Sequence, residues 1–425
     1  VKPSLAHQAA VSTWLSLWFL LVYTGCNTLA AWQPHRVGSL YFEWERHYPF
    51  VPLLIIPYWS MDLFFVLAAF LCRTPFQLTQ HARRITAGIA IAGVFFLLFP
   101  LTLAWPRPAV PGLLGKLFGS LEVMNNFYNC CPSLHIVLRA CVWEVFALVL
   151  LGWPRRLMAG WFFLISLSTL LCWQHYLIDV WCGQLLGLLC IYLFPSTPVP
   201  ASRGLNRNPT LARRYALGAL VLLALCLAGW PYSVALLWPF VSLSLVAIAY
   251  AGGGPAWLGK VNGRQLPAAR WLLSPYRWVA ALTARTFTAG RPPYREVVPG
   301  LWVGRRLSPS EALAMPASAV LDLTAEYDEV PSLLERKYKN IPMLDLSPPA
   351  LGQLEEAVEF LEQHPRCYVH CSLGLGRAAL VAAAFLVRQG HSLEEALQRI
   401  EPCCLKAPQL QRLKEFTALI QTPPA

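Results

Sequence analysis

The sequence predicts a polytopic α-helical membrane domain of about eight spans followed by a small α/β domain, and three observations carry that expectation. Hydrophobic residues fill 56% of the 425 positions, above the ~45–50% of soluble domains. They gather in runs close to the ~20 residues that cross a bilayer. Beyond Arg295 the long runs give way to short β-rich stretches alternating with amphipathic ones, the pattern of a small α/β fold. The chain is expected to divide into residues 1–251, 252–295 and 296–425.

The expected spans are Val11–Ala31, Val51–Cys72, Ile85–Ala104, Leu134–Leu151, Leu157–Leu171, Ile178–Phe194, Leu211–Trp230 and Val234–Ala251. Alternate loops carry Arg73, Arg83 and Arg84, then Arg155 and Arg156, then Arg203, Arg207, Arg213 and Arg214. Positive residues stay inside, so these loops and both termini are expected in the cytoplasm. The first run is read as a span and not as a cleaved signal peptide. The net charge of +12 sits beside apolar runs, which argues for a lipid bilayer as partner and against nucleic acid. Thirteen cysteines show no metal-ligand spacing, and neither a metal nor a cofactor is expected.

Residues 252–295 hold Lys260, Arg264, Arg270, Arg277, Arg285, Arg291 and Arg295 with no acidic residue, interleaved with Trp257, Trp271, Tyr276 and Trp278. This reads as a basic, aromatic interfacial linker on an anionic leaflet. The alternative is the positive bias found at the end of any inward-facing span.

In the last part, Leu301–Val303, Ala319–Leu323 and Arg366–His370 read as strands. Leu351–His364, Ala378–Arg388, Leu393–Ile400 and Gln409–Ile420 read as helices. Between the last strand and Ala378–Arg388 lies Val369-His370-Cys371-Ser372-Leu373-Gly374-Leu375-Gly376-Arg377. A loop at a helix N-terminus offers unpaired N–H groups and a dipole that favour an anion. The same field favours the thiolate of Cys371, the attacking form. Arg377 can grip two phosphate oxygens as a planar fork, and the backbone of Ser372, Leu373, Gly374, Leu375 and Gly376 can cradle the rest.

These residues resemble the signature of the cysteine-dependent protein tyrosine and dual-specificity phosphatases, His-Cys, five residues, Arg. The resemblance covers about the last third of the chain and implies a small α/β cysteine-dependent phosphatase domain, with a phosphocysteine intermediate and an aspartate that protonates the leaving oxygen. Asp345 stands where that family places the acid. Ala378 stands where the family usually has Ser or Thr, whose hydroxyl assists breakdown of the intermediate. The loop adds no charge at Ser372, Leu373 or Leu375, unlike relatives that act on polyphosphorylated inositol lipids. The substrate implied is a phosphorylated protein or a small phosphomonoester.

The membrane part carries a second constellation. Cys131-Pro132-Ser133-Leu134-His135 opens the fourth span and His175-Tyr176-Leu177-Ile178-Asp179 the sixth, both at the expected outer face. Ionisable residues gathered at span ends suggest a site. The i, i+4 spacing lets Asp179 orient His175, and His135 can supply a proton to a leaving oxygen.

These residues resemble the type-2 phosphatidic-acid phosphatase superfamily over about residues 50–195, particularly its inositol-phosphorylceramide and sphingomyelin synthase branch. The resemblance implies His175 as nucleophile, Asp179 as its partner, His135 as acid, and Arg107 and Ser133 as phosphate-binding residues. Pro100 and Thr169 occupy the positions of two family cations. Arg139, one turn from His135, and Lys116 in the preceding loop are candidate substitutes as phosphate ligands, with Arg139 otherwise the partner of Glu144 or Asp62. The order of the two parts resembles bacterial fusions of these families, of the kind called YnbD-like. It implies a multi-pass protein of the bacterial inner (plasma) membrane, with an outward site for a phospholipid or prenyl phosphate and a cytoplasmic phosphomonoesterase site. The alternative is a lipid head-group phosphotransferase regulated by a catalytically weak, phosphate-binding cytoplasmic domain.

Overall fold

The computed structural model describes residues 2–124, 128–199 and 207–421, so Arg203 lies outside the described residues. It forms two compact units, Val1–Pro198 with Gly229–Val234, and Val199–Ala228 with Ala235–Ala425. The last two apolar helices therefore fall in the same unit as the α/β fold, where the sequence places them with the membrane part.

The first unit is helical: α1 (Leu5–Ala31), α2 (Ile55–Leu71), α3 (Pro75–Leu98), α4 (Gly112–Met124), α5 (Leu134–Val149), α6 (Gly152–Leu171) and α7 (Leu177–Leu193). Local chemistry sets the starts. Ser4 caps α1 through His7 N at 3.2 Å, and Thr74 caps α3 through Gln77 N at 3.1 Å, ahead of Pro75 at the first helical position. Arg83 and Arg84 lie inside α3 and not in a loop. Arg84 is buried, donating from Nε to Phe194 O at 2.6 Å and from Nη2 to Ser196 Oγ at 2.8 Å; paired in this way, it costs less to bury.

Each expected span has a helix beneath it, but the segments long and apolar enough to cross a membrane are five among the described residues. They are Leu5–Ala31, Pro52–Leu71, Pro75–Leu98, Pro209–Ala228 and Val234–Gly253. With 16 and 17 residues, α5 and α7 fall short of the ~20 needed.

The second unit opens with α8 (Pro209–Ala228) and α9 (Leu237–Ile248), which pack as an apolar hairpin. Residues 252–295 are more than a linker along a surface. They form the antiparallel pair β1 (Lys260–Val261) and β2 (Arg264–Gln265), then α10 (Pro267–Leu272) and α11 (Ser274–Thr288). Lys260 is buried, so this charge faces protein and not lipid headgroups.

A five-stranded sheet follows, made of β3 (Tyr294–Val298), β4 (Leu301–Arg305), β5 (Ala319–Thr324), β6 (Lys337–Met343) and β7 (Cys367–Cys371), in the order β3-β4-β7-β5-β6. Only the β3–β4 pair is antiparallel. Helices α12 (Pro309–Ala314), α13 (Pro331–Leu334), α14 (Leu351–Gln363), α15 (Arg377–Arg388), α16 (Leu393–Arg399) and α17 (Ala407–Gln421) complete it. Strand β7 is wholly buried, as expected of the central strand of a covered parallel sheet. Its carboxyl end is where such sheets bind ligands, and Cys371 stands there.

Candidate active site

Strand β7 delivers Cys371 and α15 delivers Arg377, with the five residues between them half-buried at the mouth. Gly374 makes the turn possible. Its φ of +76° and the 2.6–2.8 Å that would separate a Cβ from the backbone of Gly304 and Arg305 exclude any side chain. Its N–H donates to Cys371 Sγ at 3.2 Å.

Arg377 is buried, and Glu326 holds it end-on: Nη2 to Oε1 is 2.7 Å and Nη1 to Oε2 is 3.0 Å. Nη1 also donates to Met343 O at 2.9 Å. The fork expected to face phosphate is thus turned to Glu326. Nε lies 3.3 Å from Asp345 Oδ1, so Asp345 of the segment after β6 joins Cys371 and Arg377. Burial works against the Glu326 carboxylate, but Arg377 and the Ala325 N–H outweigh it and hold the pKa below the ordinary range. Ala378 is buried. Gln409 of α17 is buried beside Gly376, its Nε2 without a hydrogen-bond partner.

Behind Cys371 lies a buried charge cluster that the sequence alone did not reveal. His370 Nε2 is 2.8 Å from Glu329 Oε2 and 3.8 Å from Asp322 Oδ1. Lys260 is ion-paired with Asp322 and donates to Thr324 Oγ1 at 2.6 Å. Tyr338 donates to Asp322 Oδ2 at 2.6 Å, and the Tyr368 ring stacks on His370. Asp322, Glu329 and His370 bring potential ligand atoms within 4.8 Å of one another, and the Lys260 ammonium balances their charge.

Burial alone would push the His370 imidazole down, but Glu329 and Asp322 outweigh it and hold it above its ordinary value of 6.5. The pairing therefore contributes its stability in full below pH 6.5 and loses it as pH rises through the raised value. The thermal midpoint should fall from neutral toward alkaline pH, and Glu329→Gln should flatten that slope. An unchanged slope in the variant would remove His370 as its source.

In the first unit, His175 Nδ1 lies 3.5 Å from Asp179 Oδ2. The same oxygen accepts from Tyr176 N at 2.9 Å, so Asp179 also caps α7. Gly183 lets α5 approach, since a Cβ there would stand 2.5 Å from Ser133 O. Ser133 N then donates to Asp179 O at 2.9 Å. His135 stacks on Tyr58 at 4.1 Å and lies within electrostatic reach of His175. These four residues come together. Arg107 packs over Phe118 at 5.1 Å, lines a neighbouring cavity and lies within electrostatic reach of Tyr58, the ring stacked on His135. Arg139 donates to Gln184 of α7, and not to Glu144 or Asp62.

Glu45 is the residue that sequence reasoning missed in this cluster. It is buried, accepting from Phe42 N and Leu177 N, each at 2.7 Å. Burial raises its pKa against those two hydrogen bonds. The cavity shared by Glu45, Trp105, His175 and Tyr176 has a volume of only about 10 Å³, room for about one water.

Residues 314–391 match the family model described as Polymorphic toxin system, DSP-PTPase phosphatase. The C-terminal region thus contains a dual-specificity-type phosphatase domain, and the matched stretch includes Glu326, Asp345, Cys371 and Arg377. No curated protein matches the chain. Among solved structures the chain is similar to PTPMT1 in complex with PI(5)P, at 20% identity and a TM-score of 0.29, over 30% of this chain and 97% of that one. It is similar to Tk-PTP in the active form at 26% identity and a TM-score of 0.28, over 30% and 97%. Human DUSP28 is similar at 21% identity and a TM-score of 0.28, over 31% and 97%.

Proposed function

We propose that the Cys371 site is a phosphomonoesterase working through a phosphocysteine. Cys371 Sγ attacks phosphorus as the P–O bond to the leaving group breaks, and Asp345 gives that oxygen its proton. Water then attacks the phosphocysteine, Asp345 takes a proton from it, and inorganic phosphate leaves with the thiolate restored. Arg377 and the N–H groups of residues 372–376 hold the phosphate oxygens, worth most where charge develops. The observation that carries this reading is the meeting of Cys371, Arg377 and Asp345 at one sheet end, with Arg377 Nε 3.3 Å from Asp345.

A second reading concerns the first unit, where the His175–Asp179 pair beside His135 supports a histidine-based lipid phosphatase or head-group phosphotransferase. The small space at His175 requires that site to open before a phosphate enters. The alternative of a binding domain that regulates the membrane part rests on Ala378.

Phosphate release by the purified full chain in detergent separates these readings. Cys371→Ser should lower aryl phosphate turnover by about 10⁴-fold or more, the scale of losing a nucleophile. Unchanged turnover in that variant would make the domain a binding module. Lipid phosphate release that survives Cys371→Ser and disappears with His175→Ala would establish the second site.

A further inference from the structure

The apolar hairpin and the phosphatase fold belong to one compact unit, and the hairpin's open end reaches the acid loop. Asn208, which caps α8 by accepting from Leu211 N at 3.1 Å, donates from Nδ2 to Leu346 O at 2.9 Å. Its backbone N–H donates to Tyr250 O at 3.0 Å, tying the two helix ends together. Leu346 follows Asp345 directly and holds φ at 54°, a conformation leucine rarely adopts without outside support. Asn208 supplies one such support.

Three tyrosines line the same end. Tyr215 of α8 stacks on Tyr250 at 5.5 Å and meets Tyr276 of α11 edge-on at 5.8 Å. Tyr250 lies within electrostatic reach of Asp345, Glu326 and Arg377. Away from this end, Leu217, Leu220, Val221 and Leu225 form one exposed face of α8, following helical spacing. Trp278, Leu282 and Phe287 of α11 are exposed in the same unit. Apolar patches of this kind mark a membrane or partner surface. At the open end Arg213 and Arg214 are exposed, and cations beside an apolar face suit anionic lipid. At the loop mouth Leu373 and Leu375 are half-buried and uncharged.

We infer that the Cys371 site takes a phosphomonoester whose other end is anchored in the bilayer, a lipid phosphate, presented to the loop by the open end of the α8–α9 hairpin. This rests on the phosphomonoesterase reading above. The apolar face holds the unit at the lipid surface, so the acyl chains stay in the bilayer while the headgroup alone enters the loop. Binding energy from the remote chains then supports reaction at the phosphate.

The test uses the full chain reconstituted in phosphatidylcholine vesicles and counts, for each substrate, the turnover that Cys371→Ser removes. The probes are phosphatidic acid in the vesicle, glycerol 3-phosphate in solution and a phosphotyrosine peptide. The inference expects kcat/KM for phosphatidic acid to exceed that for glycerol 3-phosphate by about 10²-fold or more, and to exceed that for the peptide. Equal values for the lipid and glycerol 3-phosphate, or preference for the peptide, would overturn it while leaving the phosphomonoesterase intact. Aryl phosphate turnover that survives Cys371→Ser would instead remove the reading beneath it.

Discussion

Asp345→Asn is expected to lower kcat on an alkyl phosphate by about 10²–10⁴-fold, the usual contribution of a positioned acid. An alkoxide is a poor leaving group and needs the proton. A p-nitrophenolate leaves without one, so turnover of p-nitrophenyl phosphate should fall far less. Asp345 is one-third exposed and lies beside Arg377 Nε, a place from which it can meet a leaving oxygen above the loop. Equal losses on both substrates would show that the substitution disturbs phosphate binding through Arg377, and the acid would have to be sought elsewhere.

Lys260→Met is expected to cost about 3–5 kcal/mol of stability, the scale of breaking a buried pair by removing one partner. Lys260 is ion-paired with Asp322 at full burial. Without the ammonium, Asp322 and Glu329 share one imidazole, and two buried carboxylates cannot both be balanced by a single charge. Chemical unfolding of the full chain, followed by tryptophan fluorescence, reads the effect as a lower midpoint. Combining Lys260→Met with Asp322→Asn should recover much of the loss, because the double variant removes both charges. Additive losses would mean that the two residues act independently.

Lys260 also shows where sequence reading stops. The segment that contains it looks like a charged surface linker because its basic residues have no acidic neighbours along the chain. The structure folds β1 against the sheet end and supplies that neighbour from 62 residues away. Glu326 reaches Arg377 across 51 residues, and Asn208 reaches Leu346 across 138. None of these pairs leaves a local pattern, because the partners meet only after the parallel crossovers are made. The linked positions of His175 and Asp179 were legible because one helical turn brings them together. Glu45 was not, since its tie to Leu177 spans 132 residues.

Local sequence was enough to specify the apolar helices, the strands β4, β5 and β7, and the loop from Cys371 to Arg377. Each is set by contacts within a few residues: helical or alternating periodicity, a capping side chain, a glycine in a tight turn. Strands β3 and β6 escaped it, as edge strands with little apolar alternation do. Long-range packing settled that the Nη groups of Arg377 meet Glu326, and what neutralises His370. It also placed α8 and α9 in one compact unit with the five-stranded sheet. Those outcomes depend on which distant groups share a buried space, where an unpaired charge is costly and its partner is chosen by the packing of the whole unit.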